Sequence, residues 1–438
     1  MSDKKITNVS RLSLADASKA LASGDCSSAE LVQSCLNKIQ LNEDEINAFT
    51  NVNGCEALEE ARISDSRRKS GSTLSELDGI PIAVKDNIDV MRQPTTNGLN
   101  MSWLPKKDAD LIKNLRSMGL IILGKTNMHE AALGATTDNP HHGKTFNPKV
   151  KDATPGGSSG GSGAAVSADF CIAAIGTDTM GSVRVPAAYC GIVGFKPTRG
   201  FWSTEGVMPL STTLDTVGPL TKTVGDAGLL CGHAISKVNL KTETFAVLGN
   251  FEKAPTEKVI VNSFSALKEL LRETGINLAE CLLADYEPTP ARRAGLIICE
   301  VEAYSVMENL LMSNPSAFSV ELKKFLAFGS ELSEPKYLEN LMKIENFKAQ
   351  LCNVFDDFSF ILSPTTPQTA FPFSQTAPVD QADFTALANF AGCPAISIPM
   401  LVGPNRPPVG LQIMAPPGKD AELLSVAAAL EQLINEYQ

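Results

Sequence analysis

The order of apolar runs predicts an α/β fold: a single large domain on a central mixed β-sheet with helices on both faces. Three observations carry this. GIPIAVKDNIDV (79–90) is mostly apolar up to Val84 and then meets Lys85, as a buried strand does at its end. LIKNLRSMG reads as a helix, and LIILGKTN (120–127) follows it as a second strand. The order returns at SGAAVSA, a short helix of small residues, and at FCIAAIG (170–176), another buried run.

The remaining elements follow in order. Residues 13–40 read as helical. Ser27 or Ser28 can cap a helix there, Glu30 follows, and Leu31, Cys35, Leu36 and Ile39 recur near the 3.6-residue period. SRRKSGSTLSELDG (66–79) reads as a polar turn region. From 287 to 357 the pattern is helical, including SVELKKFLAFG and KYLENLMKIENFKAQLCNVF. Strands return at FSFILSP (358–364), PAISIPM (394–400) and VGLQIMAP (409–416), and AELLSVAAALEQLINEY closes as an amphipathic helix. The late strands are expected to join the early sheet, which makes 1–438 one domain. Its parts are N-terminal helices (1–60), a core (79–235), a helical cap-like segment (240–357) and returning strands with a final helix (358–438).

Composition narrows the function. At 438 residues, 43% apolar and 20% charged, the chain reads as globular. A net charge of −11 argues against broad binding of nucleic acid or anionic membranes, which needs basic surface. MSDKKITNVS lacks the apolar core of a signal peptide, and no run approaches the roughly 20 apolar residues of a membrane span, so a cytoplasmic location is expected. Ten cysteines, from Cys26 to Cys393 and with no CxxC pair, read as reduced and mostly buried thiols. The four histidines are His129, His141, His142 and His233. They are too few and too unaccompanied to suggest a catalytic zinc or a Ser-His-Asp triad, and read as loop and surface residues. No metal or cofactor is expected.

The chemistry concentrates around TPGGSSGGSGAA (154–165). A phosphate loop of the GxxxxGK[ST] kind would need a lysine that this stretch lacks, and no GxGxxG turn is matched. A free linker is excluded by the apolar helix and strand that follow directly. An active-site loop remains. A hydroxyl nucleophile needs a base. With histidine scarce, the candidate base is Lys85, because burial at the end of an apolar strand favours the neutral amine. On the residues alone, a Lys85 that reaches solvent or pairs with Asp86 or Asp89 competes with that reading.

GIPIAVKDNIDV, TPGGSSGGSGAAVSA and GTDTMGSVRVPAAYCGIVGFKPTRG together resemble the amidase signature family of serine hydrolases. The likeness continues through STTLDTVGPLTKTV (211–224), NFAGCPAISIPM and PVGLQIMA, and is weakest from about 235 to 355. It implies the amidase signature fold and a Ser–cis-Ser–Lys triad: nucleophile Ser182, relay Ser158 and base Lys85, with a cis peptide bond between Gly157 and Ser158. It implies an oxyanion hole from the backbone N–H groups of Thr179, Met180, Gly181 and Ser182, and supporting roles for Gly157, Ser159, Asp178 and Arg184. Asp178 and Arg184 are expected to hold the turn around Ser182, Ser159 and Ser162 to support the loop, and Cys190 to pack. Asn127, Glu130 and Asn139 fall in a stretch that resembles the family's pocket lining.

Met180 stands where many members of the family carry glycine, which bears on substrate range more than on activity. The implied activity is hydrolysis of a carbon–nitrogen bond other than a peptide bond, with aliphatic and aryl amides, lactams, carbamates and ureido acids all open. The alternatives are the amidase-type subunit of a glutamine-dependent tRNA amidotransferase and a catalytically silent binding protein. The implied partner is a small amide-type substrate, with no membrane and no nucleic acid outside the amidotransferase reading. The oligomeric state stays open, a homodimer included.

Overall fold

A computed structural model describes residues 9–403 and 406–437. The start of the chain read above for its lack of a signal peptide lies, through residue 8, outside the described residues. In chain order the strands are β1 (Phe49–Val52), β2 (Pro81–Lys85), β3 (Ile121–Thr126), β4 (Asp138–Asn139), β5 (Gly143–Lys144), β6 (Ala173–Asp178), β7 (Val193–Lys196), β8 (Thr216–Thr221), β9 (Phe245–Leu248), β10 (Leu278–Cys281), β11 (Phe360–Pro364), β12 (Ala395–Pro399) and β13 (Gly410–Met414). β4 and β5 form a small hairpin. The other eleven make one sheet in the order β1-β3-β2-β6-β8-β7-β12-β13-β11-β9-β10. The sheet is mixed: β3-β2-β6 and β11-β9-β10 are parallel, and the strands from β6 through β8, β7, β12 and β13 to β11 pair antiparallel.

Strand periodicity explains why both faces are covered. Successive side chains on a strand point to opposite faces. Ile82 and Val84 of β2 and Ile175 of β6 pack with Leu14 and Leu21 from helix Leu14–Ser23 and with Leu111 and Leu115 from helix Asp110–Ser117. Ala83 and Ala174, one residue out of phase, pack with Val32 and Cys35 from helix Ser28–Ile46 and with Ala164 and Ala165 from helix Gly160–Ser167. A strand buried on both faces has no polar alternation, which is why these runs are apolar throughout. The result is one α/β domain with a large mixed sheet flanked by helices.

Several element boundaries depart from the sequence reading. The helix read over 13–40 is two helices, because Gly24 leaves the first in a left-handed conformation (φ 78°) and its N–H closes on Ala20. Ser27 and Glu30 then start the second with a reciprocal capping box. The turn read from 66 begins late, since helix Gly54–Lys69 runs into it; Arg67 and the buried Asp78 are paired across the turn. Within 240–357 the helices Lys258–Glu273, Pro288–Ser313, Val320–Glu331 and Glu334–Asp357 alternate with β9 and β10, which continue the main sheet.

All ten cysteines are free and seven are buried. No helix among the described residues is long and apolar enough to cross a membrane. Among the same residues, no group of three or more His, Cys, Asp or Glu side chains is placed to hold a metal ion.

Candidate active site

Lys85 ends β2, and Thr177 stands near the end of the parallel neighbour β6. The two strands bring Lys85 Nζ within 2.7 Å of Thr177 Oγ1 and within 2.7 Å of Ser158 Oγ. Lys85 and Ser158 are fully buried. Burial pulls the Lys85 ammonium down to about 7, while the negative charges of Asp215 and Asp178 act in the opposite sense. A lysine in this state is half neutral near pH 7 and can take a proton from a hydroxyl that already faces it.

The loop holding Ser158 is fixed on every side. The peptide bond between Gly157 and Ser158 is cis. The Ser158 carbonyl accepts from the His129 N–H at 3.1 Å. Ser159 Oγ donates to the Thr177 carbonyl at 3.1 Å, and its N–H donates to the Ser182 carbonyl at 3.3 Å, so the loop is tied to both β6 and the turn carrying Ser182. Thr137 Oγ1 donates to the Gly156 carbonyl and receives the Gly160 N–H. Gly157 has no room for a side chain: a Cβ there would lie 2.8 Å from the backbone of Ala135 and Thr136. Ser162 Oγ bonds Thr126 Oγ1 and the Ile175 carbonyl, which seats the helix on the sheet.

β6 delivers Asp178 into the turn that carries Ser182. Asp178 Oδ1 accepts from the Gly181 N–H at 2.8 Å and Oδ2 from the Val183 N–H at 3.1 Å. Arg184, itself fully buried, closes on the same carboxylate through Nε (3.0 Å) and Nη2 (2.9 Å). Burial alone would raise the Asp178 carboxyl, but the Arg184 charge and hydrogen bonds outweigh it and hold it down at about 2. The far end of Arg184 is satisfied by the Thr385 carbonyl, Asn389 Oδ1 and Gln412 Oε1. The turn is thereby clamped between the middle and the C-terminal end of the chain.

The four backbone donors around Ser182 are not equivalent. The Gly181 N–H is committed to Asp178. Those of Met180 and Ser182 carry no partner among the described residues. The Thr179 side chain is anchored by Asp215, whose other oxygen accepts from the N–H groups of Leu210 and Ser211. Burial lifts the Asp215 carboxyl to about 6.

Ser182 is half-buried and opens on a cleft of 500 Å³ that Gly157, Thr179, Met180 and Gly181 also line. Ser158 and Lys85 lie behind this surface, out of contact with solvent. Leu296 and Cys299 of helix Pro288–Ser313 form the facing wall together with Arg292.

Other residues take places the sequence reading did not give them. His129, read as a loop or surface residue, lines the cleft, and burial followed by the Lys85 charge lowers it to about 4, so it is neutral. Asn127 and Asn139 line no part of the cleft. Their amides are spent on the Gly143 carbonyl and Thr145, and on the Gly98 and Met128 carbonyls. Glu130 faces an adjoining hollow of 220 Å³, bonded to His141 and to the Ser319 N–H. Cys190 is packed and buried, its thiol pushed well up by burial. Thr177, Asp215, Asn389 and Gln412 were not singled out from sequence. All four do stand inside quoted stretches: Thr177 in GTDTMGS, Asp215 in STTLDTVGP, Asn389 in NFAGCPAISIPM and Gln412 in PVGLQIMA.

Comparison with known proteins adds the family. The amidase family profile matches residues 30–424. A glutamyl-tRNA(Gln) amidotransferase subunit from Thermobifida fusca is 33% identical over 484 aligned positions, covering 98% of this chain and 97% of the relative. A crystal structure of an amidase superposes with a TM-score of 0.91 at 29% identity, over 97% of this chain and 100% of that one. The crystal structure of the corresponding glutamyl-tRNA(Gln) amidotransferase subunit from Thermotoga maritima gives 0.82 at 27% identity, over 97% and 95%. The chain belongs to the amidase signature family.

Proposed function

We propose that the chain hydrolyses a small amide-type C–N bond through a seryl acyl-enzyme. The observation that carries this is the fully buried Lys85, drawn down to about 7, with its Nζ 2.7 Å from the Oγ of Ser158, whose neighbour Gly157 lines the cleft of Ser182 and whose neighbour Ser159 bonds the Ser182 carbonyl. Ser182 Oγ attacks the carbonyl carbon, and its proton passes to Ser158 while the Ser158 proton passes to neutral Lys85. The carbonyl oxygen becomes an oxyanion, received by the free N–H groups of Met180 and Ser182, with Thr179 held beside them. One such donor is worth about 3–4 kcal/mol of barrier in a measured case. The proton returns from Lys85 through Ser158 to the leaving nitrogen, which departs as amine or ammonia. Water repeats the sequence on the ester and frees Ser182.

The test is release of amine or ammonia by the purified chain from a panel of aliphatic amides, aryl amides, carbamates and ureido acids, with Ser182→Ala as the control. Turnover of at least one class, lost in Ser182→Ala, supports the reading; turnover that survives the substitution defeats it.

A second reading has a specific observation in its favour. The Thermobifida relative, matched over nearly its full length, is named for its place in an amidotransferase. In that reading the same serine chemistry releases ammonia from glutamine for a partner protein. Ammonia from glutamine only when partner proteins are added, with no turnover of small amides by the chain alone, decides for it.

A further inference from the structure

We infer that Arg292 is the specificity residue of the cleft and that the substrate carries a carboxylate at the end remote from its amide. The inference rests on the hydrolase reading above. Arg292 sits on helix Pro288–Ser313, only 8% exposed, and lines the same cleft as Ser182. With Leu296 and Cys299 it occupies one helical face, at spacings of four and three residues, so a single cation is set into an otherwise apolar stripe. Its Nε donates to Asp383 Oδ1 at 2.6 Å, and Asp383 is held in turn by Thr289 Oγ1. Its two terminal nitrogens carry no hydrogen bond among the described residues.

A guanidinium has five N–H donors, and the terminal ones of Arg292 are not sealed from solvent. Asp383 uses only the Nε side. The outer edge of the fork remains, held in one orientation and facing open space. That edge matches the two oxygens of a carboxylate.

The surrounding charges agree. His129 is neutral, which leaves Arg292 as the one cation on the cleft wall among the described residues. The two carboxylates that line the cleft, Asp138 and Glu321, are exposed and water-screened, whereas Arg292 is only 8% exposed and is paired with Asp383 on its Nε side alone. A cleft of 500 Å³ suits a small molecule with an amide at one end and an acid at the other.

The experiment compares matched probes: succinamate and glutaramate, which bear one carboxylate, against the neutral diamides succinamide and glutaramide. Arg292→Lys keeps the charge and removes the fork. Arg292→Met combined with Asp383→Asn removes the charge without leaving Asp383 buried and unpaired. The expected result is a fall of about 10- to 100-fold in the monoanion-to-diamide ratio of kcat/KM, as loss of one charge-assisted contact implies. Binding of the same probes to Ser182→Ala protein by calorimetry, with and without the Arg292 change, reads the contact without turnover. A binding preference for monoanions that disappears with Arg292, in a protein that turns over neither the probes nor any class of the wider panel, supports the assignment of Arg292 while defeating the hydrolase reading. Turnover with an unchanged ratio overturns the assignment and leaves the hydrolase standing. An unsubstituted protein with no preference for the monoanions in binding or turnover also overturns it.

Discussion

At the scale of single residues, Lys85 and Asp178 are both ionisable groups placed where water is absent. Lys85 titrates near 7 because burial disfavours its cation. In the proposed mechanism its neutral form is the proton acceptor, and that form grows as pH rises through 7. The kcat/KM for a small amide is therefore expected to climb about tenfold per pH unit below pH 7 and to level off above it. A rate that stays flat from acidic to alkaline pH contradicts a lysine base. Asp178 is the complementary case, held at about 2 by Arg184. Asp178→Asn leaves Arg184 buried without its counter-ion, and losing one member of such a pair costs about 3–5 kcal/mol. Urea denaturation is the check, and an unchanged midpoint would show that the pair is dispensable. Lys85, Ser158 and Ser182 were legible from short motifs and from the scarcity of histidine. Asn389 and Gln412 stand in quoted stretches, but their role was not legible, because they reach Arg184 from 205 and 228 positions away and only tertiary packing pairs them with it.

At the scale of elements, the turn from β6 into helix Arg184–Cys190 is the part that tolerates least. Gly181 lies at φ 135°, a region that side chains rarely adopt, and a Cβ there would run into Thr385 Oγ1. Gly181→Ala must move the turn, and with it the N–H groups of Met180 and Ser182. Shifts of about 1 Å at a reacting centre can cost 10²-fold, so kcat is expected to fall by about that factor while the melting temperature changes far less. Equal kcat in the two proteins would show that this turn does not set the geometry. β2, β3 and β6 were readable because strands buried on both faces are unbroken apolar runs. β10 was not, since LAEC is half-exposed at the sheet edge and has no such signature. The two N-terminal helices merged in the sequence reading because a continuous apolar period masked the Gly24 stop and the Ser27 start.

At the scale of the whole molecule, the early and late halves of the chain meet at the cleft. The sheet supplies Lys85 and the Ser182 turn, while helix Pro288–Ser313 supplies the facing wall. The wall comes close at Gly295, where a Cβ would lie 2.8 Å from Met180 Sδ and 2.6 Å from the Phe390 ring. Met180 therefore fills space between the wall and Ser182. Met180→Gly opens that space, and the ratio of kcat/KM for an aryl amide over a small aliphatic amide is expected to rise; identical ratios would show that Met180 does not shape the pocket. The wall was the least legible part of the site, because its residues lie where the family resemblance is weakest and their meeting with Ser182 depends on tertiary packing alone.

The proposed activity depends on a nucleophilic Ser182 activated through Ser158 by Lys85. Its most direct test is labelling by a fluorophosphonate, with the adduct mapped by peptide mass. One adduct is expected, on Ser182, absent in Ser182→Ala and formed at least about 10²-fold more slowly in Lys85→Met. An adduct on another residue, or labelling of Lys85→Met at the unsubstituted rate, would contradict it.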